Sequence, residues 1–255
     1  MSSEAQGESN SPLSVGGIIR AAGSLYRRHP FLFLVFALAV MAPYELIVLA
    51  ATGYGPLSHR HQGTGTEWLL FLLRDTLVTP LISALHMHAV MRIREGERPR
   101  LADVAARGIR ALPVVAAAEI MATLGIGVGL VAFIIPGVIL AVRWAVVAQV
   151  AALEADGWVD ALHISRRLTT GHFRHIFGLL FTIWVIGAAV ALGTRSIDLG
   201  NTSGAASVSA GIALETAIAS FVALTLALLY LDLKARLALE QRRPEREYPH
   251  LRDLD

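Results

Sequence analysis

The chain has 255 residues, 55% hydrophobic and only 16% charged, with a net charge of +2 and no cysteine. Soluble domains carry about 25% charged residues, so a water-soluble globular domain is a poor description. The missing thiols exclude disulfides, thiolate metal sites and cysteine nucleophiles. The apolar residues lie in blocks of about 20, the length a helix needs to cross a hydrocarbon core of roughly 30 Å.

Residues 1–12, MSSEAQGESNSP, are small and polar and read as disordered. No basic stretch, short apolar run and Ala-x-Ala site open the chain, so no cleaved signal peptide is expected. Over residues 13–29, Ile18, Ile19, Ala22, Leu25 and Tyr26 recur at helical spacing beside Arg20, Arg27 and Arg28. This pattern predicts an amphipathic helix lying in the interface. Pro30 suits the first turn of a first span over residues 31–52, with a kink at Pro43. A Gly-, Pro- and His-containing loop leads to a second span over residues 68–90, which carries Pro80.

After a turn at Glu97-Arg98-Pro99, residues 101–110 read as a second amphipathic helix. The third span is expected over residues 111–133 and the fourth over 138–153, joined by a tight turn at Ile135-Pro136-Gly137. The spacing of Gly125 and Gly129 lets another helix approach closely. Gly125-Ile126-Gly127 precedes no Rossmann-type unit and is no phosphate loop. Residues 158–170 form the third amphipathic helix. Asp160, His163, Arg166 and Arg167 fall on one side of it, and Trp158, Ala161, Leu162, Ser165 and Leu168 on the other. Gly171 can end it. The fifth span covers residues 173–192 and the sixth 208–231, with a small-residue loop between them. The expected organisation is a six-span membrane domain over residues 13–233 and a charged, solvated tail over 234–255.

The basic residues set an orientation. Arg27 and Arg28 precede the first span, and Arg92, Arg94, Arg98, Arg100, Arg107 and Arg110 separate the second from the third. Arg166, Arg167 and Arg174 separate the fourth from the fifth, and Lys234, Arg236, Arg242, Arg243, Arg246 and Arg252 follow the sixth. Only Arg60 and Arg195 fall on the opposite side. This bias predicts both termini in the cytoplasm. The Ala-, Arg- and Gly-rich composition fits a GC-rich bacterial genome, and a bacterial plasma membrane is the expected location. The order of basic helix, span, turn and span recurs from Leu13, Leu101 and Trp158; either the units are parallel copies, or the charge rule alone places basic flanks there.

Five charges lie inside the predicted spans at one depth: Glu45, Arg74, Asp75, Arg143 and Glu215. Each is about seven residues from the outer end of its span, roughly 10 Å below that surface. An ionisable group at the bilayer centre costs on the order of 2.5–3.5 kcal/mol, so these groups should face protein or water. Two readings stand. One is a structural ion-pair network; the other is a polar cavity, open to the outside, that binds an ion, proton or headgroup. Arg74 and Asp75 diverge by about 100° on a helix and need separate partners. Glu119 lies in the inner half of the third span, either against His86 or His88 or as a neutral, hydrogen-bonded acid.

Metal and enzyme signals are weak. His86 and His88 point to opposite faces, and His59 and His61 lie in a loop. His172 and His175 have chelating spacing but no third ligand. The Ser165 hydroxyl is expected to bond back to the carbonyl of Ala161 rather than act as a nucleophile. No cofactor or metal is expected. Arg27, Arg28, Arg107, Arg110, Arg166, Arg167 and Arg174 are candidates for contact with anionic lipid headgroups or a partner protein. Nucleic-acid binding is not expected, because the basic residues hug the span ends without interleaved aromatics.

The stretch Ile135-Pro136-Gly137, Ala141-Val142-Arg143 and Glu154, with Ala161-Leu162, Ser165, Leu168, Gly171 and Phe173, resembles the membrane domain associated with glycerophosphodiester phosphodiesterases and related six-span bacterial proteins. The resemblance implies a six-span fold and a phosphodiesterase partner, not an active site within the membrane. The short tail leaves no room for a catalytic barrel of roughly 250 residues. The leading expectation is therefore a non-enzymatic scaffold or accessory module that engages lipid headgroups or a partner. The alternative is a transporter or channel for a small polar or lipidic solute.

The absence of native cysteine makes the topology directly testable. Single Arg28→Cys, Arg110→Cys and Arg166→Cys variants should react with an impermeant maleimide from the cytoplasmic side only, and Arg60→Cys from the other side only. Labelling of the first three from different sides would overturn the six-span arrangement.

Overall fold

The computed structural model describes residues 13–55, 64–97, 99–196 and 205–247. Expectations for residues 1–12, His59, Arg60, His61, Arg98 and the side chains of Arg195 and of the arginines from Arg242 onward fall outside the described residues. The described elements are helical, with no strand among them. Six helical stretches are long and apolar enough to cross a membrane, so this is a multi-pass helical membrane protein.

Helix α1, Val15–Arg28, starts where the Ser14 hydroxyl accepts the N–H of Gly17 at 3.1 Å. It buries Ile18 and Ala22, one turn apart, and carries Arg27 and Arg28 in its last turn. There they complement the carbonyl end of the helix dipole. Pro30 opens α2, Pro30–Thr52, which stays helical through Pro43 and ends at Gly53 with φ 74°. That left-handed conformation is the reason for glycine at this position.

The second span begins as α3, Gly65–Leu73, capped by the Thr64 hydroxyl. It widens into a π-helical turn, Arg74–Val78, and continues as α4, Thr79–Arg94. The Thr79 N–H donates to the carbonyl of Arg74. Pro80 explains the widening. It has no N–H to return to the preceding turn, and its ring crowds the carbonyl four residues back. A single inserted π turn relieves both problems. Helix α4 is the centre of the bundle, with Ile82, Ala84, Leu85, His86, Met87, Ala89 and Val90 all buried.

Residues 101–110 do not form a separate helix. They are the first ten residues of α5, Leu101–Ala132, one continuous helix of 32 residues. At 1.5 Å per residue it is about 48 Å long, more than a bilayer core requires. A Cβ built on its Gly108 would sit 2.7 Å from the Leu85 side chain, so this glycine brings α5 against the central helix. The second of the three expected units therefore lacks its own amphipathic helix.

The turn into the fourth span is also displaced. Phe133 makes it, in extended conformation, and α6, Ile134–Arg143, begins immediately afterwards. Pro136 sits in the first turn of α6, where its missing N–H leaves no intrahelical bond unmade. Gly137 faces Gly129. A Cβ on Gly129 would lie 2.9 Å from the Cα of Gly137, and one on Gly137 would lie 2.6 Å from the backbone nitrogen of Leu130. Gly125 is covered by the Trp144 ring. The Gly125–Gly129 spacing thus serves the chain's own α5–α6 hairpin.

The fourth span is not one helix. It breaks at residues 144–146 and resumes as α7, Val147–Leu153, whose residues Val147 to Ala152 are all buried. The break frees the carbonyl of Arg143. The hydroxyls of Ser165 and Thr169, on α8 (Trp158–Thr169), each donate to it at 3.1 Å. The expected bond from Ser165 to Ala161 is replaced by this long-range one. The two faces of α8 are otherwise as its periodicity predicts: Ala161, Ser165 and Leu168 are buried and Asp160, His163, Arg166 and Arg167 exposed. Trp158 departs from the pattern by being exposed. Gly171, with φ 83°, follows α8.

Helix α9, Phe173–Ser196, is the least buried span and exposes a stacked row of Phe173, Phe177, Phe181 and Trp184. Helix α10, Ala205–Glu247, runs 43 residues, so the helix continues past residue 233 into the charged tail. Near that end its side chains fasten the bundle. Asp232 accepts the Leu13 N–H at 2.7 Å, and Arg236 donates both to Asp232 and to the Leu13 carbonyl at 2.7 Å. His175 lies 3.5 Å from Asp232, and Lys234 pairs with Glu154 at 2.6 Å. The start of α1, the start of α9 and the late part of α10 therefore share one end of the bundle, the arginine-rich end.

The close α5–α6 contact has a measurable consequence. Gly137→Ala should destabilise the protein by about 1–3 kcal/mol through overpacking, read as a lowered unfolding midpoint in detergent. Gly127→Ala, whose Cβ would meet nothing within 4 Å, should leave the midpoint unchanged or raise it. Equal midpoints for parent and Gly137→Ala would refute the packing argument.

Candidate functional site

At the end of the bundle opposite the Leu13–Asp232–Arg236 contacts, α2, α3 and α10 enclose a pocket of about 440 Å³. Glu45, Arg74 and Glu215 line its charged wall, and Tyr44, Trp68 and Phe71 its aromatic one. Thr52, Tyr54 and Glu67, near the ends of α2 and α3, also border it.

Local structure explains the placement. The Tyr44 hydroxyl donates to the carbonyl of Leu70 at 3.0 Å, which ties α2 to α3 beside the pocket. Arg74 is the first residue of the π turn. One extra residue in that turn rotates the remainder of the span by about 100°, so Arg74 faces the pocket while α4 turns its apolar side to the core. Arg74 donates from Nη2 to Glu215 Oε2 at 2.5 Å, and its Nη1 lies 3.9 Å from Glu45 Oε1. The Arg74 and Glu215 side chains are 33% and 27% exposed, Glu45 only 4%. The pair is thus reached through the cavity, and Glu45 forms its buried wall. Toward the bundle interior the site is closed by Ala37, Met41, Val78, Ile82 and Ala223, which pack with Tyr44.

Three of the five charges expected at one depth therefore meet: Glu45, Arg74 and Glu215. Asp75 makes no ion pair among the described residues. It is the next residue along the helix and feels the charge of Arg74 on one side and of Glu119, on α5, on the other. Arg143 is not part of the group. Its side chain is exposed and unpaired among the described residues, and its carbonyl is the docking point for α8. Helix α6 already begins at Ile134, four residues before the expected start, so Arg143 lies about 14 Å along it rather than roughly 10 Å.

Among the described residues Glu119 makes no hydrogen bond or ion pair with His86 or His88. His86 is wholly buried, donates from Nδ1 to the Ile82 carbonyl at 2.8 Å, sits 2.8 Å from Ser220 Oγ through Nε2 and stacks on Phe33. Nε2 of His88 and both polar atoms of Gln149 are buried without a hydrogen-bond partner among the described residues. His172 and His175 turn toward Glu240 and Asp232 of α10, at 3.9 and 3.5 Å. No group of three His, Asp or Glu residues able to hold a metal occurs among the described residues. Arg27, Arg28, Arg107, Arg110, Arg166, Arg167 and Arg174 are all exposed, without an ion pair among the described residues.

The sequence reading missed Tyr44, Trp68 and Phe71 as pocket residues. Their proximity to Glu45 and Arg74 was visible, but aromatics near span ends also serve simply as interface anchors. The Asp232–Arg236 spacing was a legible helical pair; its partner Leu13, 219 residues away, was not.

No family model, no curated protein and no solved structure matches this chain. The fold alone therefore defines its class, that of a multi-pass helical membrane protein.

Removing the shared cation should expose what the network contributes. Arg74→Ala leaves two carboxylates facing each other and should destabilise the protein by about 1–3 kcal/mol, less than a fully buried pair because the site is partly open. Glu215→Gln in the Arg74→Ala background should restore part of that loss. Additive losses in the denaturation midpoints of the single and double variants would show that the two groups are not coupled.

Proposed function

We propose that this chain lies in a bacterial plasma membrane with its arginine-rich end in the cytoplasm. It takes a small polar or amphiphilic solute into the Glu45–Arg74–Glu215 pocket from the outer side and moves it across the bilayer. The observation that carries this reading is the combination of a buried carboxylate with an accessible cavity. Ion pairs that only hold helices in register need no cavity of about 440 Å³ beside them. The volume falls in the range of about 300–1,000 Å³ typical of small-molecule sites. Ligand pockets of this kind combine mainly apolar walls with a few convergent polar groups. Passage toward the cytoplasm requires the Met41 and Ile82 packing, and the His86–Ser220 contact beyond it, to part. On this reading the pocket is the outward-facing half of the path.

The reading is non-catalytic, and the Ser165 hydroxyl is committed to the carbonyl of Arg143. A second reading, a scaffold that engages anionic lipid or a partner, is favoured by the seven exposed arginines, each worth about 1 kcal/mol near an anionic surface. The resemblance to the phosphodiesterase-associated membrane domain would supply such a partner.

Flux separates the two. Protein reconstituted in liposomes should transport at least one member of a radiolabelled panel of organic cations, organic anions, sugars and amino acids. Glu45→Gln and Glu215→Gln should abolish that flux while the variants still elute as folded protein. A parent with no flux for the whole panel, together with destabilised Glu45→Gln, would favour the scaffold instead.

A further inference from the structure

We infer that the ligand of this pocket is an organic ammonium ion with an apolar substituent, held by the Glu45 carboxylate against aromatic rings. The inference rests on the reading of the pocket as a solute site and names the solute's chemical class. Charge comes first. Glu215 takes the short contact to Arg74 at 2.5 Å, so that pair is close to neutral as a unit. Glu45 is left 3.9 Å from the same guanidinium, only 3% exposed, and receives no hydrogen bond among the described residues. In the ionised form of Glu45, two carboxylates against one guanidinium give the wall a surplus negative charge, which a bound cation would stabilise and an anionic ligand would meet. A cation is the ligand that completes the set.

The shape of the cation is set by the other wall. Tyr44, Trp68 and Phe71 border the same cavity, and the faces of aromatic rings attract ammonium groups, most strongly when water is excluded. A bare metal ion gains little from such a wall and needs several oxygen ligands. An alkylated ammonium satisfies both sides, giving its charge to Glu45 and its carbon substituents to the rings. Trp68 and Phe71 are 64% and 52% exposed on the bundle surface. The substituent can therefore extend between them toward the bilayer, which suits an amphiphilic amine better than a compact hydrophilic one.

The test is calorimetric titration of the full chain in nanodiscs with benzyltrimethylammonium and, for comparison, benzenesulfonate. The expected result is saturable binding of the cation and none of the anion. Glu45→Gln should weaken binding by about tenfold or more, and Trp68→Ala by about threefold to tenfold. Trp68 lies at the exposed rim, so its variant folds even if Glu45→Gln does not. Binding of the sulfonate as tight as that of the ammonium, no binding of the cation, or parental affinity in either folded variant would overturn the assignment. If liposomes transport a non-cationic solute and no ammonium binds, the transport reading stands and this inference falls. If the ammonium binds as described but no panel member is moved, the inference stands and the transport reading falls.

Discussion

A backbone carbonyl inside hydrocarbon has no water to bond, so any departure from regular helix must be met by a donor within the protein. Two departures among the described residues meet that constraint. At Pro80 the helix widens into a π turn and the Arg74 carbonyl is taken up by the Thr79 N–H. Where the fourth span breaks, the hydroxyls of Ser165 and Thr169 reach the Arg143 carbonyl from another helix. At Phe133 the chain reverses in one extended residue, and Pro136 is placed where its missing donor leaves nothing unpaired. Backbone satisfaction thus decides where α8 docks and where Arg74 points, and through Arg74 it shapes the pocket.

The two ends of the bundle are built differently. At the arginine-rich end, polar groups are used up against each other. Asp232 and Arg236 grip the Leu13 backbone, Lys234 holds Glu154, and His175 approaches Asp232. The end that carries the pocket leaves its charges incompletely paired, with one guanidinium between two carboxylates and a cavity beside them. A firmly paired base opposite an incompletely paired end is consistent with the proposed solute site, since binding sites need a supporting shell.

The intramembrane charges mark where helical periodicity stops being informative. Counting from span ends placed Glu45, Arg74 and Glu215 at a common level, and they meet. The same counting included Arg143 and Asp75, and they stand apart. Asp75 does so for a reason already visible, the 100° step between neighbours on a helix. Arg143 does so because its helix starts at Ile134, earlier than the sequence suggests, and leaves its side chain exposed; the break that follows, at Trp144-Ala145-Val146, carries no Gly or Pro to announce it. Its cause is tertiary: Ser165 and Thr169 supply the donors that make the interruption tolerable.

By itself the sequence determined the solvent, the number of spans, the basic end and the buried face of α8. These depend on apolar block length, on charge counts and on a 3.6-residue period, all local properties of the chain. The tertiary structure alone decided the join of residues 101–110 to the third span, the position of the turn at Phe133, the broken fourth span, the Leu13–Asp232 clamp and the aromatic wall of the pocket. Each of those depends on which groups from distant segments meet, and in hydrocarbon that meeting is governed by close packing and backbone hydrogen bonds, neither of which a hydropathy pattern records.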